Sequence, residues 1–134
     1  SADWVSNDES LATIARVYKE HGYLMDAHTA VAWEAAERLR GEDPVLVVST
    51  AHWAKFGADV YRALTGAAYG APLTGSAAEM SGLRLLDEVR VLAPDAAAIP
   101  APLAGLNTLP ERFTGVVDAG RDGVVSAVRG WLET

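Results

Sequence analysis

Cysteine is absent from the sequence, and lysine occurs only twice, as Lys19 and Lys55. The lack of cysteine excludes disulfides, thiolate metal sites and a cysteine nucleophile. No run approaches the roughly 18 apolar residues that a membrane-spanning helix needs. The first residues also lack the basic and apolar segments of a signal peptide. Together these absences predict a cytoplasmic protein with no membrane partner.

Positive charge is also scarce, because 11 Lys and Arg residues stand against 18 Asp and Glu residues, for a net charge of −7. An acidic surface repels phosphate backbones, and no basic stripe runs along the chain. We therefore expect no nucleic-acid partner. The three histidines show neither an HxxxH spacing nor an adjacent pair of carboxylates, so we predict no metal site.

Half of the residues are hydrophobic, and much of the chain shows the spacing of amphipathic helices. Ser6 lies three residues before Glu9, which is the spacing of a capping box at a helix N-terminus. Asp26 is a good N-cap for the next helix, and Gly22 and Gly41 are typical C-terminal stops. We predict helices between Ser6 and Gly22, between Asp26 and Gly41, and over about 53–64, 83–93 and 121–134, with at most a helical turn over 102–106.

One segment departs from this pattern, since residues 45–49 read VLVVS, a continuous and mostly β-branched run. Such a run is typical of a strand that is covered on both faces, as in a parallel sheet. We therefore predict an α/β fragment that is mostly helical, with about five helices around one or two parallel-type strands. A lone strand needs neighbours for its N–H and C=O groups. We expect these from sequence outside the chain or from a second copy, so exposed sheet edges would promote self-association.

Four polar residues follow the predicted strand at once: Ser49, Thr50, His52 and Lys55. Ligands of open α/β sheets bind beyond the carboxyl ends of strands, and the N–H groups that open the next helix favour an anion. Ser49 and Thr50 are therefore candidate ligand-binding residues. The alternative is that one of these two hydroxyls simply caps the following helix. His28 also has two interpretations, as a buried and hydrogen-bonded histidine or as a site residue.

Two blocks of the sequence together resemble the C-terminal part of threonine synthase. They are GYLMDAHTAVAW at 22–33 and STAHWAKF at 49–56. The segment DESLATIARVYKEHGY, which leads into the first block, and the segment IPAPLAGLNTLPERF near the end also fit. Ala27 and Trp53 depart from the family pattern, which has proline at both positions. The resemblance covers residues 6–65 well, 99–132 loosely and 66–98 hardly at all.

Threonine synthases are pyridoxal-phosphate enzymes of the tryptophan-synthase-β-like, fold-type II group, and they convert O-phosphohomoserine and water to threonine and phosphate. The resemblance implies that the hydroxyl of Thr50 bonds the pyridine nitrogen of the cofactor, with Ser49 beside it. It places His52, Lys55 and His28 on the substrate side or in support of the loop. A hydroxyl leaves the pyridine nitrogen unprotonated, which suits β,γ-elimination and replacement.

The resemblance also implies what this chain lacks. The family's cofactor lysine, its asparagine-containing cofactor loop and its glycine-rich phosphate cradle all precede the region that matches. Neither Lys19 nor Lys55 stands in the sequence setting of the cofactor lysine. We therefore expect no catalytic residue on this chain, no covalent attachment of pyridoxal phosphate and no activity of the chain alone. Its partner would be the remainder of the same polypeptide.

The resemblance divides the chain into three parts. Residues 1–65 are expected to be the C-terminal part of the cofactor-binding α/β domain, 66–98 an insertion or linker with one helix, and 99–134 a proline-punctuated tail with a terminal helix. Two alternatives are open: another fold-type II lyase, such as a tryptophan-synthase-β-like protein, and a free-standing, non-catalytic interaction or regulatory domain. The DAHTA block at 26–30 disfavours the first of them.

Overall fold

Helices form most of the structure. The computed structural model describes residues 2–80, 82–112 and 114–133, apart from the side chains of Ser76 and Asn107. The helices in these ranges are α1 (Asn7–His21), α2 (Ala27–Leu39), α3 (Gly57–Thr65), α4 (Gly82–Leu92), α5 (Ala101–Ala104) and α6 (Arg121–Leu132). Short 3₁₀ segments lie between them at Trp53–Phe56, Gly75–Glu79 and Gly105–Thr108. None of these described helices is long and apolar enough to cross a membrane.

The predicted fold class is wrong. The described residues contain no β-strand, so the chain is helical and is not an α/β fragment built around parallel strands. Residues 45–49 are irregular, and most of their side chains are exposed, Leu46 by 89%. The run has the composition of a strand, but a strand also needs a neighbour that completes its backbone hydrogen bonds. No second segment of the described chain does so, and the predicted self-association through sheet edges stays untested.

Helix α1 begins and ends where the local sequence signals predict, and α2 begins where they predict but ends at Leu39, with Arg40 and not Gly41 as its C-cap. The Ser6 hydroxyl accepts the N–H of Glu9, and the Glu9 carboxylate accepts the N–H of Ser6 at 2.8 Å, so the capping box is confirmed. Gly22 adopts the left-handed conformation, with a φ of 67°, and ends α1. Asp26 caps α2 by accepting N–H groups of its first turn. These caps determine where the loop between the two helices starts and stops.

The apolar core lies among α1, α3 and α4 and the residues that lead into α2 and α3. Helix α1 packs against both α2 and α3, and α3 packs against α4. The buried members of the core are Leu11, Ile14, Val17, Leu24, Met25, Ala30, Trp53, Ala54, Val60, Ala63, Leu86, Val89 and Ala93. Trp53 is the bulkiest of them, and its Nε1–H donates to the carbonyl of Ala97 at 2.9 Å. This bond attaches the segment after α4 to the first 3₁₀ segment.

A network of hydrogen bonds and ion pairs joins α1 to α2. Thr13 donates to Glu34 at 2.8 Å, and Arg16 bonds the same carboxylate at 3.2 Å. Arg38 pairs with Glu34 at 3.1 Å and with Glu9 at 2.6 Å. Because several charges share partners, the network stabilises the helix pair more than isolated surface ion pairs would. The pair is therefore a firm support for the loop between them.

Hydrogen bonds keep the carboxylates of this network ionised to low pH. The hydroxyl and the backbone N–H of Ser6, together with Arg38, lower the pKa of Glu9 from 4.5 to about 2. The hydroxyl of Thr13 and the two arginines likewise lower the pKa of Glu34. Each carboxylate ionises more readily in the folded chain than in the unfolded chain. The Glu9 carboxylate therefore stabilises the fold above about pH 4.5, and this stabilisation is lost as the pH falls toward 2.

Lowering the pH from 4.5 to 2 is expected to reduce the melting temperature, and Glu9→Gln should make that reduction smaller. Glutamine can keep the capping box but removes the charge that acid neutralises. Glu42→Gln is the matched control, because Glu42 is exposed, follows α2 and lies outside the network. Thermal unfolding followed by circular dichroism across this pH range measures the effect. Equal losses of melting temperature in wild type and Glu9→Gln would contradict this account.

Candidate functional site

An open cleft of about 460 Å³ lies between the loop that precedes α2 and the residues that precede the first 3₁₀ segment. Its lining residues are Tyr23, Leu24, Met25, Ser49, Thr50, Ala51, His52, Trp53 and Ala97. The volume falls within the range of small-molecule sites, roughly 300–1,000 Å³. We take this cleft as the candidate functional site, because it brings several of the predicted polar residues to one place.

The cleft combines an apolar floor with a polar rim. Leu24, Met25 and Trp53 are buried core residues and form the floor. Ser49 and Thr50 are exposed and supply hydroxyl groups at the rim. An apolar surface next to a few hydrogen-bond donors suits a flat ring that carries a hydrogen-bond acceptor.

Ser49 is tied to α2 through the hydroxyl of Thr29. The Oγ atom of Ser49 and the Oγ1 atom of Thr29 are 3.0 Å apart, and Ser49 also donates toward the carbonyl of Ala51 at 3.2 Å. Thr29 in turn donates its hydroxyl proton to the carboxylate of Asp26. Each hydroxyl has a single proton. Thr29 donates its proton to Asp26 and accepts from Ser49, whose own proton is shared between Thr29 and the carbonyl of Ala51. These bonds hold Ser49 next to Thr50 at the edge of the cleft.

Asp26 is fully buried, and its carboxyl is ionised at neutral pH. Burial by itself raises the pKa of this carboxyl, but hydrogen bonds from the Thr29 hydroxyl and from His28 lower it below the ordinary value. The backbone nitrogen of His28 lies 2.9 Å from Asp26 Oδ1, and the ring nitrogen Nδ1 lies 3.1 Å from it. An ionised carboxylate only accepts, so the proton of neutral His28 is assigned to Nδ1. Asp26 therefore fixes both Thr29 and the His28 ring.

His52 caps the 3₁₀ segment that follows it. Its Nδ1 accepts the N–H of Ala54 at 3.2 Å, and its ring lies 5.4 Å from the ring of Trp53. The alternative that Ser49 or Thr50 caps this helix is therefore wrong, and both hydroxyls stay at the cleft. Because Nδ1 accepts, the proton of neutral His52 is assigned to Nε2.

The structure gathers three of the five predicted site residues at the cleft, namely Ser49, Thr50 and His52. Lys55 is exposed on the 3₁₀ segment and lines a separate groove beside α4. His28 is also exposed, and its ring contacts that of Phe56 at a centroid distance of 4.8 Å. Neither of these two residues lines the cleft. The functional roles of all five residues stay predictions.

Several residues of the site were not singled out by the sequence pattern. Asp26 is recognisable only as an N-cap, and Thr29 follows it at the third helical position, from which a side chain can return to the cap. No local signal places Thr29 beside Ser49, because 20 residues separate them. The same holds for Ala97, which lies 44 residues after its partner Trp53.

The donor set of the cleft restricts what it can bind. Among the described residues that line it there is no lysine, so the cleft cannot attach an aldehyde through a lysine amine. Its hydroxyls can donate to a ring nitrogen, and its buried floor offers an apolar surface. These residues fit the pyridine end of pyridoxal phosphate and do not fit its aldehyde end. The described part of the chain contains no group of three or more His, Asp or Glu side chains that could hold a metal ion.

The chain is similar to threonine synthases and to threonine synthase-like proteins. It is 45% identical over 64 residues to threonine synthase-like 1 of Mus musculus, which covers 47% of this chain and 9% of that protein. It is 39% identical over 70 residues to threonine synthase of Pseudomonas aeruginosa, covering 51% of this chain and 15% of that protein. It is 39% identical over 75 residues to threonine synthase of Saccharomyces cerevisiae, covering 49% of this chain and 15% of that protein. No solved structure matches the chain.

These matches span at most 15% of the length of the relatives. A protein-family model identifies the family independently. The model for the C-terminal part of threonine synthase matches residues 29–128, which is more than half of the chain. The matched range includes Thr29 and the polar residues of the cleft, Ser49, Thr50 and His52. The chain therefore belongs to the threonine synthase C-terminal family.

Proposed function

We propose that this chain is the C-terminal part of a threonine synthase, which converts O-phosphohomoserine and water to threonine and phosphate with pyridoxal phosphate. The observation that carries the proposal is the exposed hydroxyl of Thr50 at an apolar cleft, in a chain of this family. Because His52 caps the following helix, Thr50 is not needed for the cap and is available to a ligand.

In this proposal, Thr50 holds the pyridine end of the cofactor. Pyridoxal phosphate, when bound, supplies the electron sink for β,γ-elimination and replacement. The Thr50 hydroxyl donates a hydrogen bond to the ring nitrogen and, unlike a carboxylate, does not keep that nitrogen protonated. Ser49 holds the backbone beside Thr50 through its bond to Thr29. The buried side chain of Trp53 keeps water out of the floor of the cleft.

The remainder of the polypeptide supplies the groups that this chain does not bring to the cleft. Lys19 is exposed on α1 and Lys55 is exposed beside a separate groove, so neither lysine lines the cleft. The amine that binds the cofactor aldehyde and moves protons, and the phosphate site, therefore come from residues outside 1–134. The short share of each relative that is matched, 9–15%, supports this division. The chain alone is expected to be inactive.

Assay of the natural polypeptide that contains residues 1–134 tests this proposal. With O-phosphohomoserine and pyridoxal phosphate, it is expected to release phosphate and threonine in equal amounts, and removal of the cofactor should abolish the release. The isolated chain should release neither product and should leave the absorbance of added pyridoxal phosphate unchanged. Turnover by the isolated chain would overturn the division of the site. A whole polypeptide that is inactive with this substrate would overturn the proposed activity.

A further inference from the structure

Residues 44–51 carry the hydroxyls of the cleft, yet little of the core holds them in place. They form no helix, and most of their side chains are exposed. In the part of the chain that the structure describes, no backbone hydrogen bond joins residues 44–51 to a helix. Segments with few buried contacts and few backbone hydrogen bonds are the first to move. The position of the two hydroxyls therefore depends on side-chain hydrogen bonds.

A path of side-chain hydrogen bonds connects this segment to the buried part of the molecule. It runs from Ser49 to Thr29, with 3.0 Å between the two hydroxyl oxygens, and from Thr29 to the carboxylate of Asp26. Asp26 is 0% exposed and Thr29 is 3% exposed. A hydrogen bond to an ionised carboxylate is strong, and burial keeps water from competing for it. Ser49 is thus connected to an anchor that solvent does not reach.

The anchor is itself held by two helices. Asp26 accepts N–H groups at the start of α2 and so cannot move without opening that helix. Ser10 of α1 donates its hydroxyl to the carbonyl of Ala27 at 3.1 Å. Met25, the residue before Asp26, is 1% exposed and belongs to the core. The location of Ser49 is therefore determined by the packed pair of α1 and α2.

We propose that Asp26 and Thr29 are positioning residues that hold Ser49, and with it Thr50, at the cleft. The inference rests on the proposed function, in which Thr50 meets the cofactor. Neither Asp26 nor Thr29 lines the cleft, so both act through the hydroxyl of Ser49. Without the Thr29 hydroxyl, Ser49 loses its connection to the buried carboxylate, and residues 49–50 become mobile.

Thr29→Val tests the proposal, because it removes the linking hydroxyl and keeps a β-branched side chain of similar size. In ¹⁵N relaxation measurements on the chain, the order parameters of the Ser49 and Thr50 amides are expected to fall from about 0.85 to below about 0.6. Ser49→Ala, at an exposed position, should cause the same fall without disturbing the core. The double variant should fall no further than either single variant. Thr29→Ser restores the hydroxyl and should restore the order parameters.

Thr13→Val is the matched control for the loss of a buried threonine hydroxyl. Thr13 is buried, and its hydroxyl donates to the carboxylate of Glu34 at 2.8 Å. Its replacement removes an equivalent hydrogen bond away from the cleft and should leave the order parameters of residues 49 and 50 unchanged. Unchanged order parameters in both Thr29→Val and Ser49→Ala would overturn the proposal, as would an equal fall in Thr13→Val.

Turnover of the natural polypeptide separates this inference from the proposed function. Thr29→Val is expected to lower turnover about tenfold, since small displacements of an active-site group are costly, and Thr29→Ser should recover most of it. If Thr50→Val lowers turnover while Thr29→Val changes neither turnover nor order parameters, the positioning role is lost and the proposed function stands. If Thr29→Val lowers the order parameters while Thr50→Val leaves turnover intact, the positioning of residues 49–50 stands and the role of Thr50 is lost.

Discussion

Trp53→Ala is expected to lower the melting temperature of the chain by about 10–20 °C. Truncating a buried aromatic side chain to alanine costs about 3–5 kcal/mol, because the cavity that remains is only partly refilled. Trp53 is 2% exposed and is the bulkiest member of the core. Its Nε1–H also donates to Ala97, so truncation leaves that carbonyl without its partner. The cleft would lose part of its floor at the same time.

Trp4→Ala is the matched control for this prediction, because it removes the same atoms from a side chain that is 75% exposed. Its melting temperature should stay within about 2 °C of wild type. Trp53→Phe keeps an aromatic ring and removes the N–H donor, so it should fall between the two. Thermal denaturation followed by circular dichroism measures all three variants. If Trp53→Ala melted as close to wild type as Trp4→Ala does, Trp53 would not be part of a packed core.

Thr50→Val in the natural polypeptide is expected to lower the turnover number roughly 100-fold while the cofactor still binds. Removing one preorganised hydrogen-bond donor from an active site costs about 100- to 1,000-fold in kcat. We expect the lower value, because Thr50 is exposed at an open cleft in this chain. Thr50→Ser retains the hydroxyl and should retain most of the turnover. The prediction depends on the proposed pairing of this hydroxyl with the pyridine nitrogen.

Two controls separate this effect from misfolding and from loss of the cofactor. Thr74→Val makes the same change at an exposed threonine outside the cleft and should leave turnover at the wild-type value. The melting temperature of Thr50→Val should also match wild type, since no buried contact is removed. The absorbance of bound pyridoxal phosphate reports occupancy independently of turnover. Wild-type turnover by Thr50→Val would contradict the proposed hydrogen bond from Thr50 to the pyridine nitrogen.

Helix boundaries were predictable because their signals are local. The capping box of Ser6 and Glu9, the N-cap Asp26 and the stop at Gly22 each act within a turn or two of helix. The sequence predicted a single helix over 83–93 within residues 66–98, and it did not indicate the 3₁₀ segment Gly75–Glu79. A segment rich in alanine and glycine has no apolar periodicity from which such a turn could be predicted.

The prediction of a strand at 45–49 was wrong, because strand formation depends on a neighbouring strand that the local sequence does not reveal. The β-branched residues at 45–49 fit a pleated, half-buried surface, but they form a strand only beside another strand. The described part of this chain supplies no such neighbour, and Leu46 is left almost fully exposed. The composition of residues 45–49 therefore indicates a preference for strand structure, but without a neighbouring strand the segment is irregular in this chain.

The candidate site was predictable in part. Ser49, Thr50 and His52 reach one cleft because they are close in sequence. Lys55 follows within three residues of His52, yet the 3₁₀ turn carries it to a separate groove. The packing of the 3₁₀ turn decides which of its residues lie at the cleft. Trp53 fixes the orientation of this turn, because its indole is buried in the core.

The main helices, most of their caps and the resemblance to threonine synthase were recognisable in the sequence, because each depends on residues within a few positions or on matching motifs. The packed structure was needed to show that 45–49 is not a strand here and that Thr29 links Ser49 to the buried Asp26. It also placed Ala97 against Trp53. The two contacts join partners 20 and 44 residues apart, and such partners meet only when the helices pack around a common core.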